Sequence, residues 1–182
     1  GLVVYGVLLR ALTPLSPGML RGKMRQVWAF AFSTSSSGAT LPLTLRTVEK
    51  KLGVNKSVSG FSVPLGATIN MDGTAIMQGV ATVFIAQASG VDLTLTQLLV
   101  VVLTATLASI GAAAVPSAGI IMLTLVLTQI GLGLEYLPLL LGVDRLLDMV
   151  RTAVNVTGDA TVSTIVAYHE GQLDETVYND PA

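Results

Sequence analysis

The 182 residues are 52% hydrophobic and 12% charged, with a net charge of -1 and a mean hydropathy of +0.73. Soluble domains carry about a quarter charged residues, so the chain reads as an all-α, multi-pass membrane protein whose surroundings are the lipid bilayer. The near-neutral charge points away from nucleic acid, and the absence of cysteine excludes disulfides, thiolate catalysis and thiolate metal sites.

The opening stretch, GLVVYGVLLRALTP, has neither the basic start nor the small-residue cleavage site of a signal peptide. It reads as the end of a preceding membrane helix plus a linker over 1–16, in a chain expected to begin mid-protein. Eight of the ten basic residues lie between Arg10 and Lys56. By the positive-inside rule both flanks of 26–45 are therefore cytoplasmic, and a segment that starts and ends on one side has not crossed. Between the flanks, VWAFAFSTSSSGATLPLTL offers two apolar arms, each shorter than the roughly 20 residues of a span. A re-entrant hairpin over 17–52 is expected, a polar cytoplasmic loop being the plainer alternative.

Residues 57–91 read as one span interrupted at Asn-Met-Asp-Gly-Thr, 70–74, where Gly73 and two side chains that compete for backbone hydrogen bonds favour unwinding. The longest stretch without Asp, Glu, Lys or Arg runs from Leu93 to Leu134 and is divided by SIGAAAVPSAG. Its arms are about 24 Å long at the helical rise, too short to cross comfortably. A second hairpin over 94–131, entering from the opposite face, fits better; its non-helical tip needs a protein-lined cavity. The last helix, 136–168, is followed by an acidic tail, 169–182, expected to be frayed and cytoplasmic.

That last helix carries the chemistry. At about 100° per residue, Asp144, Asp148, Arg151, Thr152, Asn155 and Asp159 share one arc of about 100°, and most of the rest of the turn is apolar. Asp148, Arg151 and Asp159 would together cost of order 10 kcal/mol at membrane depth if unpaired. Mutual neutralisation of Asp148 and Arg151 as a structural ion pair explains part of the stripe. It leaves Asn155, Asp159, Asp72 and both polar tips unexplained. An arginine fork suits a carboxylate, an aspartate suits an ammonium, and spare carboxylates with freed carbonyls suit a hard cation. These are the parts needed to hold an acidic amino acid together with Na⁺.

The motifs SSSGATLP, NMDGT, SIGAAAVP and LLDMVRTAVNVTGD, in this order and spacing, resemble the C-terminal half of the dicarboxylate/amino acid:cation symporters, the glutamate/aspartate transporter family. The resemblance runs from about Leu15 onward and implies a transport core with two re-entrant helical hairpins, one broken helix and one polar-striped helix. It implies that Asp148 holds the substrate ammonium and Arg151 the side-chain carboxylate, with Thr152, Asn155 and Thr74 as further contacts. Ser35, Ser36 and Ser37 would receive the α-carboxylate at the first tip, while Val115 and Gly119 frame the second tip, the family's extracellular gate. One Na⁺ site is implied at Asp159 with Gly66, Asn70 and Asn155. A second is implied at Thr68, Ser109, Ile110 and Ala112 near Met71, and a third at Asn70, Asp72 and Thr74. The arginine that animal members carry after the ammonium-binding aspartate is replaced here by Met149.

An intramembrane aspartyl protease would need Gly-x-Gly-Asp, and Val156 stands at its first glycine; a serine hydrolase would need a buried histidine, and the single histidine is His169. A carrier rather than an enzyme is therefore expected. Its function would be sodium-coupled symport of aspartate or glutamate, in a homotrimer completed by the N-terminal half, in a bacterial inner (plasma) membrane with a cytoplasmic C-terminus. A C4-dicarboxylate symporter is the nearest alternative, and an anion-conducting channel is the alternative of another class.

Overall fold

The computed structural model describes residues 1–112, 114 and 116–181, and among them the only regular structure is helical, with one isolated bridge, Val54 to Leu173. The elements are α1 Leu2–Leu12, α2 Pro17–Thr34, α3 Ser37–Lys50, α4 Lys56–Ile69, α5 Asp72–Ala88, α6 Leu95–Ile110, α7 Ala118–Gln129, α8 Leu137–His169 and α9 Glu175–Asn179. No described helix is both long and apolar enough to cross a membrane. The 33-residue α8 has the length but carries the charges; α6 and α7 are apolar but have 16 and 12 residues.

Local chemistry sets the breaks. Pro17 starts α2 at a position whose N–H would be unpaired anyway, and Ser35 ends it in the left-handed region at φ 50°. The Ser36 hydroxyl then accepts from the Ala39 amide at 3.1 Å and caps α3. A reversal in two residues results, and α2 packs back on α3. The long apolar stretch folds similarly: Thr94 and Gln97 form a reciprocal capping box at the start of α6, and Ser117, at φ 60°, immediately precedes α7. Between the hairpins, Asn70 and Met71 leave helical geometry (φ, ψ of -91°, 70° and -105°, 46°) and separate α4 from α5.

Helix α8 is the axis, packing against α1, α2, α3, α4, α5 and α7. Its C-terminal half joins Met24, Val27, Val48 and Val63 in one apolar core, and Leu140 near its start joins Ile85, Val101, Leu123 and Leu127 in another. The polar stripe lies between the two. Outside, Leu95, Leu99, Val102, Leu103 and Leu107 on α6 are all more than 60% exposed, an apolar face that suits lipid or other membrane helices and not water.

The tail corrects one expectation. Far from fraying, residues 172–180 strap across the base of the first hairpin. The Asn55 amide donates to the Gln172 carbonyl and the Asp174 amide to the Gly53 carbonyl. Gly53 needs its missing side chain: at φ 76°, a Cβ would fall 2.4 Å from the Asp174 carbonyl oxygen. Tyr178 is fully buried and donates to the Ser16 carbonyl at 2.9 Å. The buried Lys23 ammonium gives one hydrogen bond each to the carbonyls of Lys51, Val177 and Tyr178, at 2.6 to 2.8 Å. Asp174 caps α9, and its carboxyl is held below the usual range chiefly by the Thr176 hydroxyl, then by the Val177 amide. A depressed folded-state value means that this cap contributes fully above the unfolded pKa of about 3.9 and is lost as the pH falls through the folded value.

Lys23→Met keeps the side-chain stem and strands three carbonyls. It should cost about 2 kcal/mol and turn a protease-resistant tail into one cleaved after Glu170 under native conditions, as read by limited proteolysis and mass spectrometry. A tail equally resistant in the variant would show that Lys23 does not hold the strap.

Candidate functional site

The stripe of α8 is buried: Asp144, Asp148, Arg151, Thr152, Asn155 and Asp159 are each 5% exposed or less. Charges so buried need partners, and these come from α8 itself, from the second tip and from the break between α4 and α5. Arg151 donates through Nε, at 3.1 Å, and through Nη2 to one oxygen of Asp148. The other Asp148 oxygen accepts from the backbone N–H of Ser117 at 2.7 Å. The Ser117 hydroxyl donates to Asp144 at 2.9 Å. One residue of the second tip thus engages both carboxylates.

The two tips also meet. Ala114 of the second presents its carbonyl to the Gly38 amide at 3.0 Å and to the Ser36 hydroxyl at 2.7 Å. Behind this clip a pocket is lined by Ser35, Ser37, Thr74, Gly119, Asp148, Arg151, Thr152 and Asn155, together with Met71, Ala112, Ala114 and Ala118. Its free volume is about 10 Å³, about one water. Two buried polar atoms on its lining residues have no partner among the described residues, Ser35 Oγ and Arg151 Nη1. Gly119 packs its backbone directly on the guanidinium: a Cβ there would fall 1.6 Å from Nη1.

A second cluster sits one turn along α8, at the chain break. Asn70 Nδ2 donates to Asp159 Oδ1 at 3.0 Å, and Asp159 packs on Gly66, where a Cβ would fall 2.5 Å from the same oxygen. Asn155 accepts from the Gly73 amide at 2.8 Å and donates to Met71 Sδ at 3.2 Å and Thr74 Oγ1 at 3.3 Å. Asn155 therefore belongs to both clusters. Asp72 accepts from the Tyr5 hydroxyl at 2.6 Å. The Asp159 carboxylate is an oxygen ligand of the kind suited to a hard cation, and in this structure it accepts from the Asn70 amide.

Of the residues expected from the sequence, Ser35, Ser37, Thr74, Gly119, Asp148, Arg151, Thr152 and Asn155 share the pocket, whereas Ser36 turns away to join the tips. Val115 lies outside the described residues. Gly66 and Asn70 both meet Asp159, Asn155 meets Met71, Gly73 and Thr74 instead, and Met71 and Ala112 lie in the pocket wall. Thr68 is exposed and returns its hydroxyl to the Leu65 carbonyl, Ile110 is exposed, and Ser109 returns its hydroxyl to Thr106. The contacts of Ser117, Ala114 and Tyr5 had no signal in the sequence. Asp144 did have one, since it lies on the stripe. Arg145, one turn before Met149, reaches the Ser33 carbonyl at the end of α2 at 3.2 Å.

The model of the sodium:dicarboxylate symporter family matches residues 1–169. The chain belongs to this family. Similar relatives are an excitatory amino acid transporter of Caenorhabditis elegans (50% identical, covering 89% of this chain and 32% of the relative) and human excitatory amino acid transporter 2 (48%, covering 96% and 31%). Rat excitatory amino acid transporter 1 is 42% identical over 92% of this chain and 32% of its own length. The chain thus spans about a third of the curated relatives it matches. These relatives are animal proteins and lend no support to a bacterial membrane. Members of the sodium:dicarboxylate symporter family are membrane transporters.

Gly119→Ala should push the guanidinium off Asp148 without unfolding the protein, because the clash is with the end of a flexible side chain. Affinity for an acidic ligand, read by titration with aspartate, should fall at least about tenfold, or 1.4 kcal/mol. Unchanged affinity would mean that the Arg151 position in the pocket is not the binding one.

Proposed function

We infer that this chain is the transport core of a sodium-coupled symporter for acidic amino acids, aspartate or glutamate. The observation that carries the reading is the buried Arg151–Asp148 pair, each member also facing a pocket built from both tips. A substrate with an ammonium and two carboxylates replaces this pair with two better ones: its ammonium takes Asp148, and its side-chain carboxylate takes the Arg151 fork, including Nη1. The Ser35 hydroxyl and the N-terminal end of α3 receive the α-carboxylate, helped by the positive end of the helix dipole. A free volume of about one water cannot admit an amino acid, so the second tip must lift. It does so by releasing the hydrogen bonds of Ser117 and the clip at Ala114.

Coupling to Na⁺ follows from charge. Asp144, Asp148 and Asp159 are buried on α8 with one buried arginine, so negative charge is in excess and a bound cation offsets it. The cluster of Gly66, Asn70 and Asp159 would hold one Na⁺, with Asn155 transmitting its occupancy to the substrate pocket. Met71, Ala112 and the carbonyls of Thr68, Ser109 and Ile110 would serve a second, and Asn70, Asp72 and Thr74 a third. Hairpins α2–α3 and α6–α7 are re-entrant, from the cytoplasmic and opposite faces respectively, which leaves the C-terminus in the cytoplasm. The organisation is that read from the sequence: a linker over 1–16, a core over 17–168 and a tail over 169–182. The remaining two thirds of the carrier would supply the scaffold and the trimer contacts. No catalytic step is assigned to any residue.

Three measurements test this on the full-length protein. In proteoliposomes, aspartate should compete with radiolabelled aspartate far better than succinate, because a dicarboxylate without an ammonium leaves Asp148 facing like charge. Asp148→Ser should abolish uptake and Arg151→Cys should shift preference to neutral amino acids such as serine; succinate competing as well as aspartate would favour the dicarboxylate reading instead. Uptake should require Na⁺, with Asp159→Asn raising the concentration needed. Cysteines at the exposed Arg21 and at Lys51 should both react with an impermeant thiol reagent only from the cytoplasm, and cysteines at Asp92 and Glu135 only from outside. Labelling from opposite sides within either pair would refute re-entrance.

A further inference from the structure

Helix α1 buries only two side chains, Tyr5 and Leu9. Leu9 joins the apolar core of the first hairpin. Tyr5, 3% exposed, instead carries a hydroxyl across to the chain break and donates to Asp72 Oδ2 at 2.6 Å. A phenol donating to a carboxylate is a charge-assisted hydrogen bond, here at the edge of the interior, with the phenol buried and the carboxylate exposed. The backbone of α8 is shaped to receive it: a Cβ at Gly158 would fall 2.3 Å from the Tyr5 hydroxyl oxygen and 2.3 Å from Asn70 Nδ2. Phenol and amide therefore share one notch, each committed to a different carboxylate, Tyr5 to Asp72 and Asn70 to Asp159.

Asp72 itself is exposed and, among the described residues, is the one ionisable acidic or basic side chain lining a cleft of about 320 Å³ otherwise walled by residues such as Val4, Ile69, Ile76 and Ile110. A carboxylate free to rotate there would turn towards solvent or a mobile counter-ion. Bound by Tyr5 through one oxygen, it holds the other oxygen at the break between α4 and α5.

We propose that Tyr5 is a positioning residue of the Na⁺ pathway: its phenol fixes Asp72 at the chain break and presents that carboxylate, preoriented, to a cation arriving through the α1–α6 cleft. The proposal rests on the sodium-coupled reading above. The cation loses less entropy on binding a carboxylate that is already fixed, and a neutral donor does not compete with it for charge.

The test is equilibrium binding of radiolabelled Na⁺ to the purified full-length carrier with no amino acid present, choline holding ionic strength constant. Phenylalanine keeps the ring in its buried seat, so Tyr5→Phe isolates the hydroxyl. It should weaken Na⁺ binding about five- to tenfold while changing aspartate affinity at saturating Na⁺ less than about twofold. In an Asp72→Asn background, Tyr5→Phe should add nothing. If the native carrier binds Na⁺ and Tyr5→Phe binds it equally well, the proposal falls and the coupled reading stands. Equal losses of Na⁺ and aspartate affinity, or additive losses in the Asp72→Asn background, would reduce Tyr5 to a packing residue. A native carrier that binds no Na⁺ overturns both.

Discussion

Burial of the α8 charges is the constraint on which the rest of the molecule depends. Three carboxylates and one guanidinium, each nearly inaccessible, cannot be left unpaired in a low-dielectric interior. The helix cannot satisfy them alone, since its own groups provide a single ion pair. Further partners come from the ends of other elements, the Ser117 amide on Asp148, the Ser117 hydroxyl on Asp144 and the Asn70 side chain on Asp159, while Asp144 Oδ1 and Arg151 Nη1 have no partner among the described residues. The interruptions in the fold and the charges on α8 are thus two halves of one arrangement.

Such an arrangement is easily biased by ligands. Asp148 and Arg151 neutralise each other only until something offers both a better partner, and the residue that closes the pocket, Ser117, leans on the same carboxylate. On the proposed function, occupying the ion pair and opening the tip would be linked by a shared atom set rather than by a distant pathway. Asn155 forms the second link. Its amide touches Met71, Gly73 and Thr74, so unwound backbone and substrate pocket share one side chain.

The two hairpins are secured differently. The base of the first is locked by the Lys23 ammonium, the Tyr178 phenol and the backbone pairing of 53–55 with 172–174. The second meets α8 sparingly; its described polar ties at the tip are those of Ser117 and Ala114. Local opening follows the least secured contacts, which supports the proposed reading in which the second tip lifts.

The sequence by itself determined the class of molecule and much of the site. Low charge density, arms too short to span and the single polar arc of α8 are properties of composition and helical period, which act locally. Asp148, Arg151, Asn155 and Asp159 were legible because one helix aligns them whatever surrounds it. Membership of the sodium:dicarboxylate symporter family was legible because four motifs hold their order and spacing. Only the tertiary structure decided the cross-links between elements far apart in sequence: Ser117 on Asp144, Ser36 on Ala114 and Tyr5 on Asp72. It also turned an acidic, polar tail into a strap, because Lys23 and Gly53 offer it hydrogen bonds that composition does not reveal. Periodicity reports which residues share a face of one element; which face another element brings to it is fixed only when the chain has folded.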